Sequence, residues 1–507
     1  MSTQFGKLCS LILLEHFGEI VQKVGNDLYK CQAKPLSLIV NSTKLPLQKV
    51  KQALRVMVKY GFVTFAPGPV PNRAVYTLLP EKVILILRYP RYLLLVKTQY
   101  GDEAEMLVEE ILRQGQDTAS RVIIRAVSRL KESLKEEKVC LVTLRDKFAT
   151  LVNKQFLMRC PSPGEETGVP VLTIKETLLY LPPDLNLKAL SNIEEGKSGD
   201  AGDEGIYWRV NLDRFHQDFR DQIMVSAISR RLDDNAGELL RHLLKQMYLR
   251  TEAWAATSNP IPFTELREAV RKQSSHPLLG QYVDQYLKIM EEDSSGFISK
   301  VGDSSGGQYS INMKTAFIQL TWTTIENIVM ERFGSKAARI FRLVRAKKFV
   351  EQEQIQQVAM IPAKEAKLLT YRLLEENFIQ MQELRKSLSN NVPNKTFFLF
   401  HIDLNQVARM VLEMCYKALF NAMTRREHER SENRRMIEKQ QRIESITLNM
   451  REQGATPEQL AEIEEMLTPP EQALIDKVRT MINRLSEAEL QLDETMFILQ
   501  LYLIYQL

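Results

Sequence analysis

Apolar positions along this chain repeat one phrase four times. A stretch with helical spacing ends in an aromatic–aliphatic pair, a turn rich in Gly, Pro, Ser or Asn follows, and a second β-branched or aromatic run closes the phrase. The pairs begin at Phe62, Phe156, Phe297 and Phe378. In the first copy Leu47, Val50, Leu54, Met57 and Val58 recur at helical spacing behind Pro46, whose fixed φ suits a first helical turn. Gly61 stands where a helix C′ residue belongs, and 62–65 and 74–78 read as strands around the turn at 67–72. The last copy repeats the first at an offset of 316 residues, with Pro362 for Pro46, Leu373 for Met57 and Phe378 for Phe62. The second copy repeats it at an offset of 94, with Leu144 for Val50, Leu151 for Met57 and Phe156 for Phe62.

A helix followed by a two-stranded hairpin is the second half of a winged helix. The pattern therefore predicts a mainly α fold with small β wings (α+β): four tandem winged-helix domains followed by a C-terminal antiparallel coiled-coil hairpin. The expected divisions are 1–95, 101–183, 207–321 and 322–402 for the winged helices and 403–507 for the hairpin. Within them, helices are expected at 5–17 and 35–42, then at 103–114, 118–135 and 143–154, with a second wing strand at 171–174 after the turn 161–170. Further helices are expected at 212–230, 235–252, 262–272 and 278–291, then at 324–346, 351–360 and 363–376. Residues 184–206, Gly-rich, acidic and without aromatics in their second half, read as a disordered linker. In the last segment Thr456–Gln459 and Thr468–Glu471 each have the form of a capping box with Pro at the first helical position. The apolar end at 497–507 must pack on the body or on a partner.

Composition narrows the function by exclusion. A net charge of +5 on 507 residues is mildly basic, so where the charge sits matters more than its sum. The five cysteines form no CxxC pair and no Cys/His cluster has zinc-ligand spacing, so no metal or other cofactor is expected. The run 83–96 is broken by Arg88, Pro90 and Arg91 and is too interrupted to span a bilayer; a soluble, membrane-free protein is expected. No GxSxG, P-loop or HExxH motif occurs in a supporting context, and a catalytic role is not expected.

Charge on the third helix of each copy sorts the copies. A winged helix that binds duplex DNA lays this helix in the major groove and its wing on the backbone. In the first copy Lys51, Arg55 and Lys59 form an i, i+4, i+8 stripe, with Lys49 nearby and Arg73 in the wing, and no acidic residue lies between 28 and 80. These five are candidate DNA contacts, of the kind that neutralise phosphates without reading bases. Arg145 and Lys147 of the second copy are weaker candidates because Asp146 sits between them. The third copy, with Glu291, Glu292 and Asp293, is expected to bind protein or nothing. The fourth has a mixed face. Arg339, Arg342, Arg345, Lys347 and Lys348, interleaved with Phe341 and Phe349, form a candidate basic docking run. An assembly scaffold of another large complex, without DNA contact, is the alternative reading.

Three long strings carry a family resemblance: MSTQFGKLCSLILLEHFGEIVQKVG at the start, LRYPRYLLLVKTQYGDEAEMLVEEIL at 87–112 and DLNQVARMVLEMCYKALFNAM at 403–423. With them the chain resembles the family of third-largest subunits of eukaryotic RNA polymerase III. The resemblance implies a non-catalytic subunit in a heterotrimer with two other polymerase-III-specific subunits, seated on the clamp of the largest subunit and working with an initiation factor. It further implies help in initiation and in opening promoter DNA for transfer RNA and 5S ribosomal RNA synthesis, a nuclear location, and participation in sensing AT-rich cytosolic DNA in antiviral innate immunity. The tandem winged helices also resemble the large subunit of the general initiation factor TFIIE, whose zinc-ribbon cysteines this chain lacks.

Overall fold

The structure, a computed structural model, describes all residues except 1, 70–72, 135–140, 165–167, 195–196, 198–200, 274–278, 387–394, 454–466 and 507. The chain divides into two compact units, Met1–Ile223 and Met224–Leu507.

In the first unit the opening domain consists of α1 (Thr3–Phe17), α2 (Glu19–Cys31), β1 (Ala33–Pro35), α3 (Leu36–Thr43), α4 (Leu47–Lys59), β2 (Val63–Pro67) and β3 (Ala74–Leu78), with sheet order β1-β3-β2. α2 is not among the helices expected from the sequence, although Val21, Val24 and Leu28 line its buried face. Val50, Leu54 and Met57 are buried as the spacing requires, whereas Leu47, in the first turn, is 46% exposed.

The repeated phenylalanine has a backbone reason. After α4, the Gly61 N–H donates to the Val58 carbonyl and the Phe62 N–H to the Met57 carbonyl, with Gly61 at φ +73. This is a Schellman motif with Phe62 at C″, where an apolar side chain turns back onto the helix. Gln155 and Phe156, with Leu151 and Val152, repeat both bonds, and so do Asn377 and Phe378, with Leu373 and Leu374. All four phrase phenylalanines, Phe297 included, are buried.

A connector of α5 (Pro80–Ile84), a 3-10 turn and α6 (Tyr89–Tyr100) leads to the second domain: α7 (Asp102–Gln114), β4 (Asp117–Thr118), α8 (Ala119–Leu134), α9 (Leu141–Asn153) and β5 (Leu157–Arg159). Its wing differs from the expected one. β6 (Ser162–Pro163) and β7 (Leu172–Thr173) pair only with each other. The strand that completes the sheet, in the order β4-β8-β5, is β8 (Tyr207–Val210), beyond the expected end of the domain at 183. Part of the expected disordered linker is correspondingly ordered. Between β7 and β8 lie α10 (Glu176–Leu179) and α11 (Leu187–Glu194), with Leu190 fully buried and Lys131 paired to Glu194 at 2.6 Å. Asp203, 4% exposed, accepts the Ser120 N–H at 2.7 Å and so caps the start of α8. Residues 195–196 and 198–200 of that linker, and the tip of the turn at 165–167, lie outside the described residues.

α12 (Leu212–Arg231) follows, and the unit boundary falls within it. Its Phe215 and Phe219 pack on Tyr92 with ring centroids 4.8 and 5.7 Å apart, so its first half belongs to the first unit rather than to a third domain starting at 207. Between these rings His216 Nε2 lies 2.8 Å from the Tyr92 hydroxyl. Burial, with Arg88 and Arg91 adding to it, pulls the His216 imidazolium down to about 3. The unfolded chain therefore takes up more protons than the folded one between about pH 3 and 6.5, and this histidine costs stability as pH falls through that window. Asp218, pushed up to about 6 mainly by burial, works in the opposite direction below pH 6. Asp218 is common to parent and His216→Phe, so the difference between their melting temperatures is expected to isolate His216: the parent loses ground to the variant on acidification from pH 7 to 4. A gap that does not change with pH would show that His216 does not couple folding to protons.

The second unit opens on a winged helix of α13 (Asp234–Met247), β9 (Ile261–Pro262), α14 (Phe263–Gln273), α15 (Leu279–Glu292), β10 (Ile298–Gly302) and β11 (Gln308–Ile311). The helix expected at 324–346 is two helices: α16 (Met313–Phe333) and α17 (Ser335–Lys347), broken at Gly334 with φ +87, where continuous apolar spacing hides the bend. α18 (Gln352–Ala359), α19 (Ala363–Glu375), β12 (Gln380–Lys386) and β13 (Lys395–His401) complete the fourth winged helix.

The C-terminal hairpin consists of α20 (Leu404–Glu432), α21 (Arg434–Glu452) and α22 (Pro469–Gln506). Its antiparallel course is set by Arg426–Glu489 at 2.8 Å, Lys439–Glu471 at 2.8 Å and the Tyr502 hydroxyl donating to Asn405 Oδ1 at 2.8 Å. Glu471 accepts the Thr468 N–H at 3.0 Å, as the capping box requires, and its carboxyl is held down at about 2, first by Lys439. The first box, at 456–459, lies outside the described residues. The apolar end finds its partner within the chain: Phe497, Leu501 and Tyr505 are buried, and Tyr505 stacks on Phe317 of α16 at 5.6 Å. Among the described residues no helix is long and apolar enough to cross a membrane.

Candidate nucleic-acid interface

The cationic stripe on α4 opens onto a groove of about 1150 Å³ that the first domain does not form alone. One wall carries Lys51, Arg55 and Lys59 from α4 and Arg73 just before β3; the other carries Arg121 and Arg125 from α8. Among the described residues Asp117 is the only acidic one in the lining, against these six cations, and Phe65, Tyr76 and Tyr207 supply aromatic rings. Five of the six cations are long side chains on two helices and the sixth lies in the wing, a spread that suits a polyanion better than a small ligand.

Local structure fixes the two walls. α4 buries Val50, Ala53, Leu54 and Met57, which turns Lys51 and Arg55 outward. Gly115 joins α7 to β4 at φ +77, and a Cβ there would sit 3.0 Å from the Lys59 carbonyl oxygen and 3.1 Å from the Tyr60 ring. The position needs glycine on both counts. Tyr60 donates its hydroxyl proton to the Arg113 carbonyl, and Lys59 reaches Gln114 Oε1 at 3.5 Å. Asp117, nearly buried, receives Arg125 at 2.6 Å and lies 3.8 Å from Arg121, so one carboxylate orients two guanidinium groups.

The structure thus brings together Lys51, Arg55, Lys59 and Arg73. Lys49 is exposed on α4 but does not line the groove. Arg145 and Lys147 lie elsewhere and are engaged within the fold, Arg145 with Asp146 at 2.8 Å and Lys147 with the Tyr100 carbonyl at 2.8 Å. Arg121 and Arg125 are not among the residues expected from the sequence. Their i, i+4 spacing on α8 is the available signal, but nothing local says that this helix faces the wing of the preceding domain.

The basic run after Gly334 is largely occupied. Arg339 donates to the Ala359 carbonyl at 3.1 Å, Arg342 pairs with Glu326, and Arg345 donates to Gln319 Oε1 at 2.7 Å with its guanidinium 4.8 Å from the Trp322 ring. Phe341 is buried, and Lys347 and Lys348 remain exposed at the helix end.

Four family models match the chain in order. They are the helix-turn-helix domain of RNA polymerase III subunit RPC82 over residues 7–68, RNA polymerase III subunit RPC82 over 176–320, the C-terminal winged-helix domain of POLR3C over 325–402, and the helical hairpin domain of DNA-directed RNA polymerase III subunit RPC3 over 435–498. Among curated relatives the chain is similar to DNA-directed RNA polymerase III subunit RPC3 of Rattus norvegicus, 40% identical over 98% of both chains. It is 39% identical to the Homo sapiens protein of the same name over 98% of both chains, and 38% identical to that of Danio rerio over 99% of both.

Proposed function

The chain belongs to the family of RNA polymerase III subunit RPC3, non-catalytic accessory subunits of that polymerase, and from that premise we propose that the groove between its first two domains holds DNA during initiation. The observation carrying this reading is the convergence of six cations from two domains on one groove with a single carboxylate among its described residues. The groove neutralises backbone phosphates, so the contact is independent of base sequence and sensitive to salt. Its aromatic lining also suits melted DNA, whose unstacked bases find π faces.

The rest of the reading draws on the family. The chain joins two other polymerase-III-specific subunits, docks on the clamp of the largest subunit, meets an initiation factor, and acts in the nucleus in synthesis of transfer RNA and 5S ribosomal RNA. Sensing of AT-rich cytosolic DNA by the same complex rests on the resemblance alone. A salt titration of DNA binding by the chain and by K51E/R55E/K59E tests the DNA contact. The triple variant is expected to lose binding while R145E/K147E keeps it. Unchanged affinity and salt slope in the triple variant would leave the first domain as an assembly surface.

A further inference from the structure

The fourth winged helix repeats the first so closely that the two can be compared position by position. α4 and α19 each have 13 residues behind a proline N-cap, Pro46 and Pro362. Both end in the same Schellman bonds, onto Phe62 and Phe378. The buried positions Val50, Leu54 and Met57 of α4 correspond to the buried Ala366, Thr370 and Leu373 of α19. Apart from Lys51, matched by Lys367, most outward positions differ. Where α4 carries Gln52, Arg55 and Lys59, α19 carries Leu368, Tyr371 and Glu375, and Lys49 is replaced by Glu365. The face that offers phosphate contacts in the first domain offers apolar side chains in the fourth.

That apolar character continues onto the wing. The Tyr371 ring meets Phe400 edge-on at 6.1 Å. Met381 lies opposite Phe400 across the ladder, and Phe398, two residues away on the same strand, shares that side of the sheet. Phe400 is buried, but Leu368 is 66% exposed, Tyr371 45%, Met381 42% and Phe398 49%. Helix and wing together thus present a contiguous apolar strip of the sort that monomeric proteins rarely leave uncovered. Tyr, Phe and Met are also the side chains enriched at protein interfaces.

Charge around the strip states what covers it. Glu365 is paired with Lys336 at 2.7 Å and Glu376 with Arg332 at 2.8 Å, so two of the nearby carboxylates are already occupied. Lys364, Lys367 and Arg372 are exposed on α19 and have no ion pair among the described residues; Glu375 is the one exposed carboxylate on that helix, and Glu383, opposite Phe398 in the wing ladder, is an exposed carboxylate on the same side of the sheet. An apolar strip rimmed by free cations is complementary to an amphipathic segment whose apolar side chains are flanked by carboxylates.

We infer that the helix-and-wing face of the fourth winged helix, built from Leu368, Tyr371, Met381 and Phe398 with Lys364, Lys367 and Arg372 at its rim, docks an acidic amphipathic segment of another protein chain of the polymerase. The four winged helices then divide their labour by this one surface: in the first it faces a nucleic acid, in the fourth a protein.

The test places the photo-crosslinking residue p-benzoylphenylalanine at position 368 in polymerase purified through this chain, with promoter DNA present, and identifies the adduct by mass spectrometry. The expected adduct is a protein segment that combines carboxylates with apolar residues. K367E/R372E, checked for an unchanged melting temperature, is expected to lower its yield roughly tenfold. Crosslinking to DNA, crosslinking to a basic segment, no adduct, or a yield unaffected by K367E/R372E would each overturn the inference.

Discussion

Replacing Lys51, Arg55, Lys59 and Arg73 together by alanine is expected to flatten the salt dependence of duplex DNA binding by roughly 3 to 4 units of slope, at about 0.9 for each phosphate no longer neutralised. At about 0.1 M salt the same counterion effect corresponds to roughly a thousandfold fall in affinity. The effect is large because the four side chains act on one groove, in which Asp117 offsets only part of the charge from Arg121 and Arg125. It should also be uniform across DNA sequences, since bonds to phosphate position a protein without reading bases. Fluorescence anisotropy with a labelled duplex over a series of salt concentrations measures both quantities. Arg121→Ala and Arg125→Ala separate the two walls: each is expected to take away about one further unit of slope if the second domain shares the site. A slope that moves with the α4 residues but not with these two would confine the DNA to the first domain. None of the four alanines disturbs a buried side chain, so the parent melting temperature should be retained.

What is legible in the sequence is local. In the first, second and last copies the phenylalanine phrase is a property of about six consecutive residues, a helix end and its Schellman bonds, and it can be read locally. The α4 stripe is legible for the same reason, because helical geometry alone puts Lys51, Arg55 and Lys59 on one face. Structure and sequence pattern part where a partner lies far along the chain. Val171–Ile174 looks like a wing strand because the residues suit one, yet the neighbour of β5 is β8, delivered only after α10 and α11. The acidity of 184–206 suggests disorder because composition does not reveal that Asp203 caps a helix 83 residues earlier. Arg121 and Arg125 are illegible because the groove exists only between two domains, and no periodicity within α8 signals what stands opposite it. On α19 the charges alone read as a mixed face; only the ladder register, which sets Met381 opposite Phe400, joins Leu368 and Tyr371 to the wing as one strip.

Trp208→Ala is expected to be the most destabilising single substitution in the first unit's second wing, costing roughly 3–5 kcal/mol. Trp208 is fully buried in β8, the strand the chain brings back to the sheet. Its indole meets Phe148 of α9 edge-on at 5.5 Å and lies 5.3 Å from the Arg159 guanidinium, while its backbone pairs with Asp117 on one side and Arg159 on the other. Removing the ring therefore leaves a cavity beneath the helix that carries the phrase of the second copy, and loosens both neighbouring strands. For a unit of this size the cost corresponds to a drop in melting temperature of roughly 10 °C, readable by calorimetry. Trp208→Phe, which keeps an aromatic ring in the pocket, should recover about half of it. The functional consequence follows through Asp117: when β8 loosens, the carboxylate that orients Arg121 and Arg125 loses its backbone partner, and DNA affinity should fall although no cation has been removed. Limited proteolysis provides the independent reading. Cleavage between 160 and 206 should accelerate in Trp208→Ala at a temperature where the parent resists it, because this strand pins the downstream end of that segment to the sheet. A variant that melted within a degree or two of the parent and resisted cleavage equally would mean that β8 decorates the domain rather than completes it.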